Sequence, residues 1–455
     1  MFDLIVIGGG PAGYVGAIRA AELGAKVALV ERAELGGTCL NWGCIPTKAL
    51  LKSAQVYHYC KNAKSFGVAI EGDVKADLKA MVARSRQVAQ TTGRGVEMLL
   101  KKAGVEVITG SAELLSAKEV KVGEATYKAK NILLATGASP REVRSIPIDH
   151  TSVLSSRDAL VLEELPETMV VVGSGAIGSE FAFLYASLGV KVTVVEYMPQ
   201  FMPLLDAEVS AAAERAFRRQ RITVMTDTAV KGVSVVDGKC VVEVEQKGVA
   251  KQIEADKVLS AVGIKSNIET LGLDKVGIQV ERDKIVVDSK FQTSVQGVFA
   301  VGDIIATPAL AHIASAEAVN CVEQMFGKNP KAIDYSLTPA CIFTTPEIAS
   351  VGLTEEMAQK QGIEYKVSRY NFASSGKAAA AGDRDGFIKL LFDNNEKLIG
   401  AHIIGANVVE MLGEPSVAMA MGATAKDLAR TIHAHPSLYE GIYEAAKSIE
   451  NEQLK

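Results

Sequence analysis

The sequence predicts an α/β chain of doubly wound, Rossmann-like architecture, with its nucleotide-binding unit present twice. Three observations predict it. A short apolar run, Leu4 to Ile7, leads directly into Gly8-Gly-Gly10-Pro-Ala-Gly13. The same order of apolar run, G-x-G-x-x-G turn and helix-like segment returns 165 positions later, at Gly173-Ser-Gly175-Ala-Ile-Gly178. The length, 455 residues, exceeds what one hydrophobic core organises, so several domains follow.

In the first unit the apolar run reads as a buried parallel strand. Tyr14 to Leu23 reads as a helix stopped by Gly24, and Val27 to Val30 as a second strand ending at Glu31. The first glycine permits the tight turn, the second lets backbone approach a pyrophosphate, and the third lets helix pack on strand. The helix start offers unpaired N–H groups to phosphates, and the acidic residue accepts from ribose hydroxyls. A lone G-x-G-x-x-G is weak, and two glycine-rich turns of an ordinary α/β fold are the bland alternative. The context repeats, however: Met169 to Val172 precedes the second turn, Gly189 stops its helix, and Val190 to Val195 leads to Glu196. First glycine and terminal glutamate stand 23 residues apart in both units. Glu196 would repel a 2′-phosphate and no basic residue follows it before Arg215, so the second unit is expected to prefer NAD to NADP.

Composition narrows the class. Apolar residues make up 48% and charged residues 22%, which excludes a disordered or collagenous chain. A net charge of −4 argues against nucleic acid as partner. Six cysteines are too few for a secreted disulfide framework. The N-terminus lacks the basic start of a signal peptide, and the most apolar window, Val298 to Ala316, contains Asp303 and His312. These features read as a soluble, cytoplasmic protein without membrane association, although a mature organelle protein would look the same.

Beyond Glu31 a second glycine-rich turn runs Gly36-Gly-Thr38-Cys39-Leu-Asn-Trp-Gly-Cys44-Ile-Pro-Thr-Lys48, ahead of a helix over 49–61. Cysteines at a helix start gain thiolate character from the dipole and from Lys48. In a regular helix, residues five apart have Cα atoms roughly 8.6 Å apart. A disulfide needs less than about 7 Å. A bridge therefore requires a distorted turn, which Gly43 permits. Two unrelated buried cysteines, or a zinc set of Cys39, Cys44, His58 and Cys60, are the alternatives, the latter poor because zinc sites favour closer pairs. Cys60, Cys240, Cys321 and Cys341 read as buried and inert.

With these residues in view the chain resembles the flavoprotein disulfide reductases of the pyridine-nucleotide class over almost its whole length. The family motif G-G-T-C-x-N-x-G-C-x-P-x-K stands at Gly36 to Lys48. Asn131 to Gly137, with Thr136, resembles the strand closing the first FAD half. Gly297 to Asp303, with Gly302, resembles the second FAD motif, and residues 338–354 the start of a dimerisation domain. His433-Ala-His435-Pro-Ser-Leu-Tyr-Glu440 resembles the H-A-H-P-T-L-x-E of the family's dihydrolipoamide dehydrogenases. The resemblance implies FAD and NAD as cofactors and a working Cys39–Cys44 disulfide. It also implies His435 as acid/base oriented by Glu440, and a Lys48–Glu180 ion pair beside the flavin. Two alternatives stay open: Ser437 and Glu440 also match a helix capping box, and Lys48–Glu180 could be an ordinary surface pair. His433 reads as structural, and His58, His150, His312 and His402 as satisfied or surface histidines.

Absences sort the chain within the family. No C-terminal cysteine pair is present, unlike mercuric and large thioredoxin reductases. Glu196 lacks the arginines of glutathione-reductase-like NADP users. Both cysteines stand, unlike in NADH oxidases. Trp42 replaces a small aliphatic, Thr47 a serine and Ser437 a threonine, while Gly263-Ile-Lys-Ser-Asn267 replaces G-R-R-P-N near the return from the NAD unit. The expected layout is an FAD part at 1–145 with a helical insert around 74–103, an NAD domain at 146–268, a return to the FAD domain at 269–335, and an α+β dimerisation domain at 336–455. The expected activity is oxidation of dihydrolipoamide by NAD in a homodimer, where His435 serves the other subunit. The expected partner is a lipoyl domain of an acyltransferase or a glycine-cleavage carrier. Another NADH-dependent disulfide reductase, or a chiefly docking subunit, are the alternatives.

Overall fold

The computed structural model describes residues 1–452. The N-terminal run forms β1 (Phe2–Ile7), α1 (Pro11–Glu22) and β2 (Val27–Glu31). Then follow α2 (Gly37–Trp42), α3 (Cys44–Lys61), α4 (Leu78–Lys102), β3 (Glu106–Thr109), β4 (Ala112–Ser116), β5 (Glu119–Val122) and β6 (Ala125–Leu134). The sheet runs β3-β2-β1-β6-β5-β4. Its first four strands are parallel, with Val6 opposite Leu29 on one side and Leu133 on the other. Leu4 to Val6 are sealed from solvent on both faces, as a strand under helices must be. The expected insert is α4, whose first turn is capped by Asp77 accepting from Ala80 N at 2.9 Å.

The chain leaves this sheet through β7 (Ala138–Pro140) and returns beside it as β16 (Ile264–Ser266), an antiparallel ribbon. The altered return loop is therefore a strand, and Asn267 closes it by donating from Nδ2 to Thr136 O at 3.1 Å. Between the two lies the second unit. It comprises β8 (Val153–Leu154), α5 (Ser156–Ala159), β9 (Thr168–Val172), α6 (Ala176–Ser187), β10 (Lys191–Val195), α7 (Ala207–Arg219) and β11 (Thr223–Met225). A meander of β12 (Thr228–Val236), β13 (Lys239–Gln246) and β14 (Val249–Ala255) follows, and β15 (Lys257–Ser260) completes it. The parallel order is β11-β10-β9-β15-β8. Helix α6 is buried continuously from Gly178 to Tyr185 because a second layer covers its outer side.

The return adds α8 (Leu273–Val276), the hairpin β17 (Val280–Glu281) and β18 (Lys284–Ile285), then β19 (Val298–Ala300), parallel to β6. Helix α9 (Ala311–Met325) packs on α1, where a Cβ added at Gly16 would meet Ala318 at 3.3 Å. The C-terminal part is an antiparallel sheet ordered β20 (Ala340–Ile342), β21 (Glu347–Gly352), β24 (Leu398–Gly405), β23 (Phe387–Asp393) and β22 (Tyr365–Asn371). Its helices are α10 (Glu355–Lys360), α11 (Gly376–Ala381), α12 (Val408–Met411), α13 (Gly413–Ala420), α14 (Ala425–Arg430) and α15 (Glu440–Glu452). Among the described residues no helix is long and apolar enough to cross a membrane.

Candidate active site

The two glycine turns are built alike at their first and third glycines. Gly8 and Gly173 have φ of +106° and +100°, and a Cβ on either would strike a strand carbonyl, Ala135 O at 2.3 Å or Ala261 O at 2.5 Å. A Cβ on Gly13 or Gly178 would strike the carbonyl of the first glycine, at 1.7 and 2.0 Å. Gly10 and Gly175 cap α1 and α6 without a side chain and leave open space, the nearest atom to a Cβ at Gly10 lying 3.8 Å away. Free helix N–H groups beside open space suit a pyrophosphate. Glu31 accepts from Gly9 N at 2.6 Å and Ala33 N at 2.8 Å. Glu196 accepts from Ser174 N and Met198 N, both at 2.8 Å. Each carboxylate is thus aimed by backbone and keeps lone pairs for ribose hydroxyls. Asp303 is half-buried, and burial pushes its pKa up although Lys284 opposes the shift. Its carboxylate has no hydrogen-bond partner among the described residues, which fits a polyol chain laid against it. Next to it, Gly302 N donates to the buried Glu317 at 2.7 Å.

The cysteine turn sits on the first glycine turn. Gly36 N donates to Gly9 O at 2.8 Å, and a Cβ on Gly37 would lie 2.6 Å from Gly10 Cα. The helix expected to start after the cysteines instead starts at Cys44, and Cys39 lies in its own short helix, α2. Between them Gly43 leaves helical geometry, with φ −150° and ψ −114°, which is the distortion the Cα spacing demanded. The two cysteines are neighbours across the break, near enough for each thiol to shift the other's ionisation. Interaction with Cys44 first, then desolvation, pushes the Cys39 pKa up, whereas interaction with Cys39, with Lys48 one helical turn along, brings the exposed Cys44 down to about 7. Thr38 is exposed at the rim of the turn.

Lys48 Nζ meets both carboxylate oxygens of Glu180 at 2.8 Å. Glu180 is only 5% exposed, so this is not a surface pair. It lies in the second turn of α6 rather than the first, because the helix begins at Ala176. Phe343 completes the group, its N–H reaching Glu180 at 3.1 Å and its ring centroid 4.4 Å from Lys48 Nζ. Phe343 escaped the sequence reading because nothing local links it to a residue 163 positions away. The pair joins the cysteine helix to the helix of the second unit.

His435 stands apart, 80% exposed, with Nδ1 2.8 Å from Glu440 Oε1. The other carboxylate oxygen accepts from Ser437 N at 2.8 Å, so orienting and capping coexist. The reciprocal half of the capping box is missing, since Ser437 Oγ has no partner. The Ser437 N–H first, then His435, hold Glu440 below the usual carboxylate range. His433 is structural as expected, held by Glu414 at 2.7 Å and Thr431 O at 2.8 Å. No hydrogen bond joins His435 to Cys39 within one chain, among the described residues.

Two cysteine placements differ from expectation. Cys60 and Cys341 are half-buried rather than buried. Among the described residues no group of three or more His, Cys, Asp or Glu side chains that could hold a metal ion occurs. Thr136 and Gly137 serve the exit ribbon: Thr136 Oγ1 donates to Asn267 O at 2.7 Å, and Gly137 O accepts from Asn267 N at 2.9 Å. Gly263, on the return strand's approach, accepts from Arg141 N at 3.0 Å.

Residues 2–318 match the pyridine nucleotide-disulphide oxidoreductase model, and residues 338–446 match that family's dimerisation domain. The chain belongs to the pyridine nucleotide-disulphide oxidoreductases. Among similar proteins are the dihydrolipoyl dehydrogenases of Chlorobaculum tepidum, 46% identical over 98% of this chain and 96% of the relative, and of Rhizobium etli, 43% identical over 98% and 97%. A crystal structure of LpdA from Mycobacterium tuberculosis superposes with a TM-score of 0.91 at 28% identity, covering 98% of this chain and 99% of that one. The HOCl-induced flavoprotein disulfide reductase RclA of Escherichia coli gives 0.87 at 27%, with 98% and 99% covered. As a member of the family the chain is an oxidoreductase dependent on FAD and NAD, with a domain for pairing with a second copy.

Proposed function

We propose that the chain oxidises protein-bound dihydrolipoamide to lipoamide, as the NAD-dependent component of a 2-oxo acid dehydrogenase or glycine-cleavage assembly. The observation that carries the reading is the neighbouring Cys39–Cys44 pair against the first glycine turn, one ion pair away from the second. The four-segment layout, 1–145, 146–268, 269–335 and 336–455, goes with it. Residues of the first turn, with Glu31, Thr136, Gly137, Gly302 and Asp303, would hold FAD. Residues of the second, with Glu196 and Gly263, would hold NAD.

His435 keeps its Nδ1–H on Glu440, which leaves Nε2 as the base that takes a proton from a substrate thiol. The resulting thiolate attacks Cys39 Sγ in the disulfide form, and Cys44 departs as a thiolate that its low pKa favours. His435 passes its proton to the departing Cys39 sulfur and takes the proton of the second substrate thiol, whose sulfur attacks the substrate sulfur bound to Cys39. The cyclic lipoamide disulfide forms, Cys39 leaves as a thiol, Cys44 stays a thiolate, and one proton remains on His435. Bound FAD supplies a two-electron relay from the dithiol to NAD. Because His435 is exposed and unconnected to Cys39 in one chain, His435 of one copy serves Cys39 of the other across the dimer, with the lipoyl arm entering between them. The test compares turnover of dihydrolipoamide with NAD against glutathione disulfide with NADPH. Dominant turnover of the first pair supports the reading, and dominant turnover of the second overturns it.

A further inference from the structure

Three consecutive residues of α4 grip the cysteine turn from behind. Arg84 Nη1 donates to Ala49 O and Ser85 Oγ to Pro46 O, both at 2.9 Å. Arg86 Nη1 donates to Asn41 O. The first two contacts fall on α3, after the Gly43 break, and the third on α2, before it. The Arg86 guanidinium also lies 4.1 Å from the ring centroid of Trp42, within cation–π range. Arg157, on α5 of the second unit, reaches the same ring at 5.6 Å. Asn41 is itself buried and ties α2 down by donating to Leu35 O at 2.9 Å and Gly37 O at 3.1 Å. The break at Gly43 removes the next turn of helix, so Asn41 O has no helical N–H to accept from.

From this we infer that Arg86 is a positioning residue of the redox turn: with Ser85 anchoring the far side, it holds α2 against α3 at the offset that keeps Cys39 beside Cys44 across the Gly43 break. The inference rests on the reading of these cysteines as the working disulfide. The proximity of the sulfurs sets their effective concentration for one another, and so the ease of closing the disulfide. It also carries the interaction that favours the Cys44 thiolate. A brace that fails would let α2 swing, weaken the disulfide relative to the dithiol, and raise the pH at which Cys44 ionises. Trp42, the only tryptophan of the chain, reports on the contact through its emission.

The experiment is an anaerobic redox titration of the flavin-loaded dimer, with the pH profile of Cys44 alkylation and Trp42 emission read in parallel. The parent should take up four electrons per subunit, two for flavin and two for disulfide. Arg86→Ala should make disulfide closure at least tenfold less favourable, a rise of about 30 mV in a two-electron couple. It should also shift the Cys44 profile upward and change the Trp42 emission. Arg86→Lys, which keeps a cation able to reach Asn41 O, should recover part of each change. Trp42→Phe, which keeps a ring, should lie nearer the parent. If Arg86→Ala does not fold with flavin, Arg86→Gln carries the same comparison. A variant that loses thermal stability while keeping the parental potential and Cys44 profile overturns the inference. A parent that takes up only two electrons overturns the disulfide reading instead.

Discussion

Replacing Cys39 by alanine removes the largest influence on Cys44 without touching its helix or Lys48. Cys44 ionises at about 7, against 9.0 for an unperturbed thiol, and the interaction with Cys39 leads the causes. At pH 7 about half of Cys44 is therefore thiolate, whereas a thiol of ordinary pKa is about 1% ionised. Complete loss of the shift would cut the thiolate by about fiftyfold at that pH, and loss of half of it by about fivefold. Cys44 remains at the start of α3 with Lys48 one turn along, so the fall in Cys39→Ala should lie between these limits. Cys39→Ser keeps an O–H donor at the same place and should stay nearer the parent. The sign is fixed: the favoured form is the anion, so thiolate is present above about pH 7 and lost as the pH falls through it, and the variant's curve moves to higher pH. The assay is alkylation of the anaerobically reduced protein with iodoacetamide from pH 5 to 10, followed by mass spectrometry and read as a midpoint. A midpoint still near 7 in Cys39→Ala would refute the reasoning and shift the credit to Lys48 and the helix start.

Three other perturbations have distinct expected outcomes. His435→Gln should lose most lipoamide turnover while small-dye reduction by NADH persists, and stopped assays with both acceptors check the split. Glu196→Ser removes the carboxylate fixed by Ser174 N and Met198 N, and the ratio of kcat/KM for NADP over NAD should rise roughly tenfold, about 1.4 kcal/mol. Lys389, 1% exposed, sits on Asp206, 0% exposed, at 2.8 Å, and also approaches Glu208 at 3.3 Å and Glu355. Lys389→Met strands buried carboxylate between the second unit and the C-terminal sheet and should cost about 3–5 kcal/mol, measured by hydrogen exchange in α7 and β23.

What could be read in advance follows from how far apart the partners lie. The glycine turns were legible because turn, helix start and terminal glutamate fall within one βαβ unit, and the first and third glycines each answer a local clash. The break at Gly43 was legible because helix geometry alone forbids contact between residues five apart. The burial of Glu180 was not, because it depends on α3, α6 and the segment at Phe343 meeting, and sequence spacing carries no sign of that. Nor was the start of α3 at Cys44 rather than at 49: Pro46 falls in the first turn of the helix, where its missing N–H costs nothing. Cys60 and Cys341 were assigned by residue type to the core, but their exposure is set by which elements cover α3 and β20. Arg86 carried no motif at all. Only the isolated Trp42, out of place beside the cysteines, marked the contact it makes.

The two nucleotide units are the same device, and the chemistry comes from what differs around them. At the first turn Gly37 presses against Gly10, which sets the cysteine turn on the first glycine turn. At the second, α6 carries Glu180 from the turn to Lys48, four residues beyond Cys44. Lys48 and Glu180 act on Cys44 in opposite directions, the cation lowering its pKa and the carboxylate raising it. A lysine alone would favour the thiolate more strongly, and a strongly stabilised thiolate is a weaker nucleophile. Glu180, buried and held by Phe343 N, tempers that charge at the cost of its own desolvation. The ion pair is thus a mechanical joint between the two units and also a setting on the sulfur that works between them. That dual duty accounts for keeping a buried charge pair where a packed apolar contact would hold the helices as well.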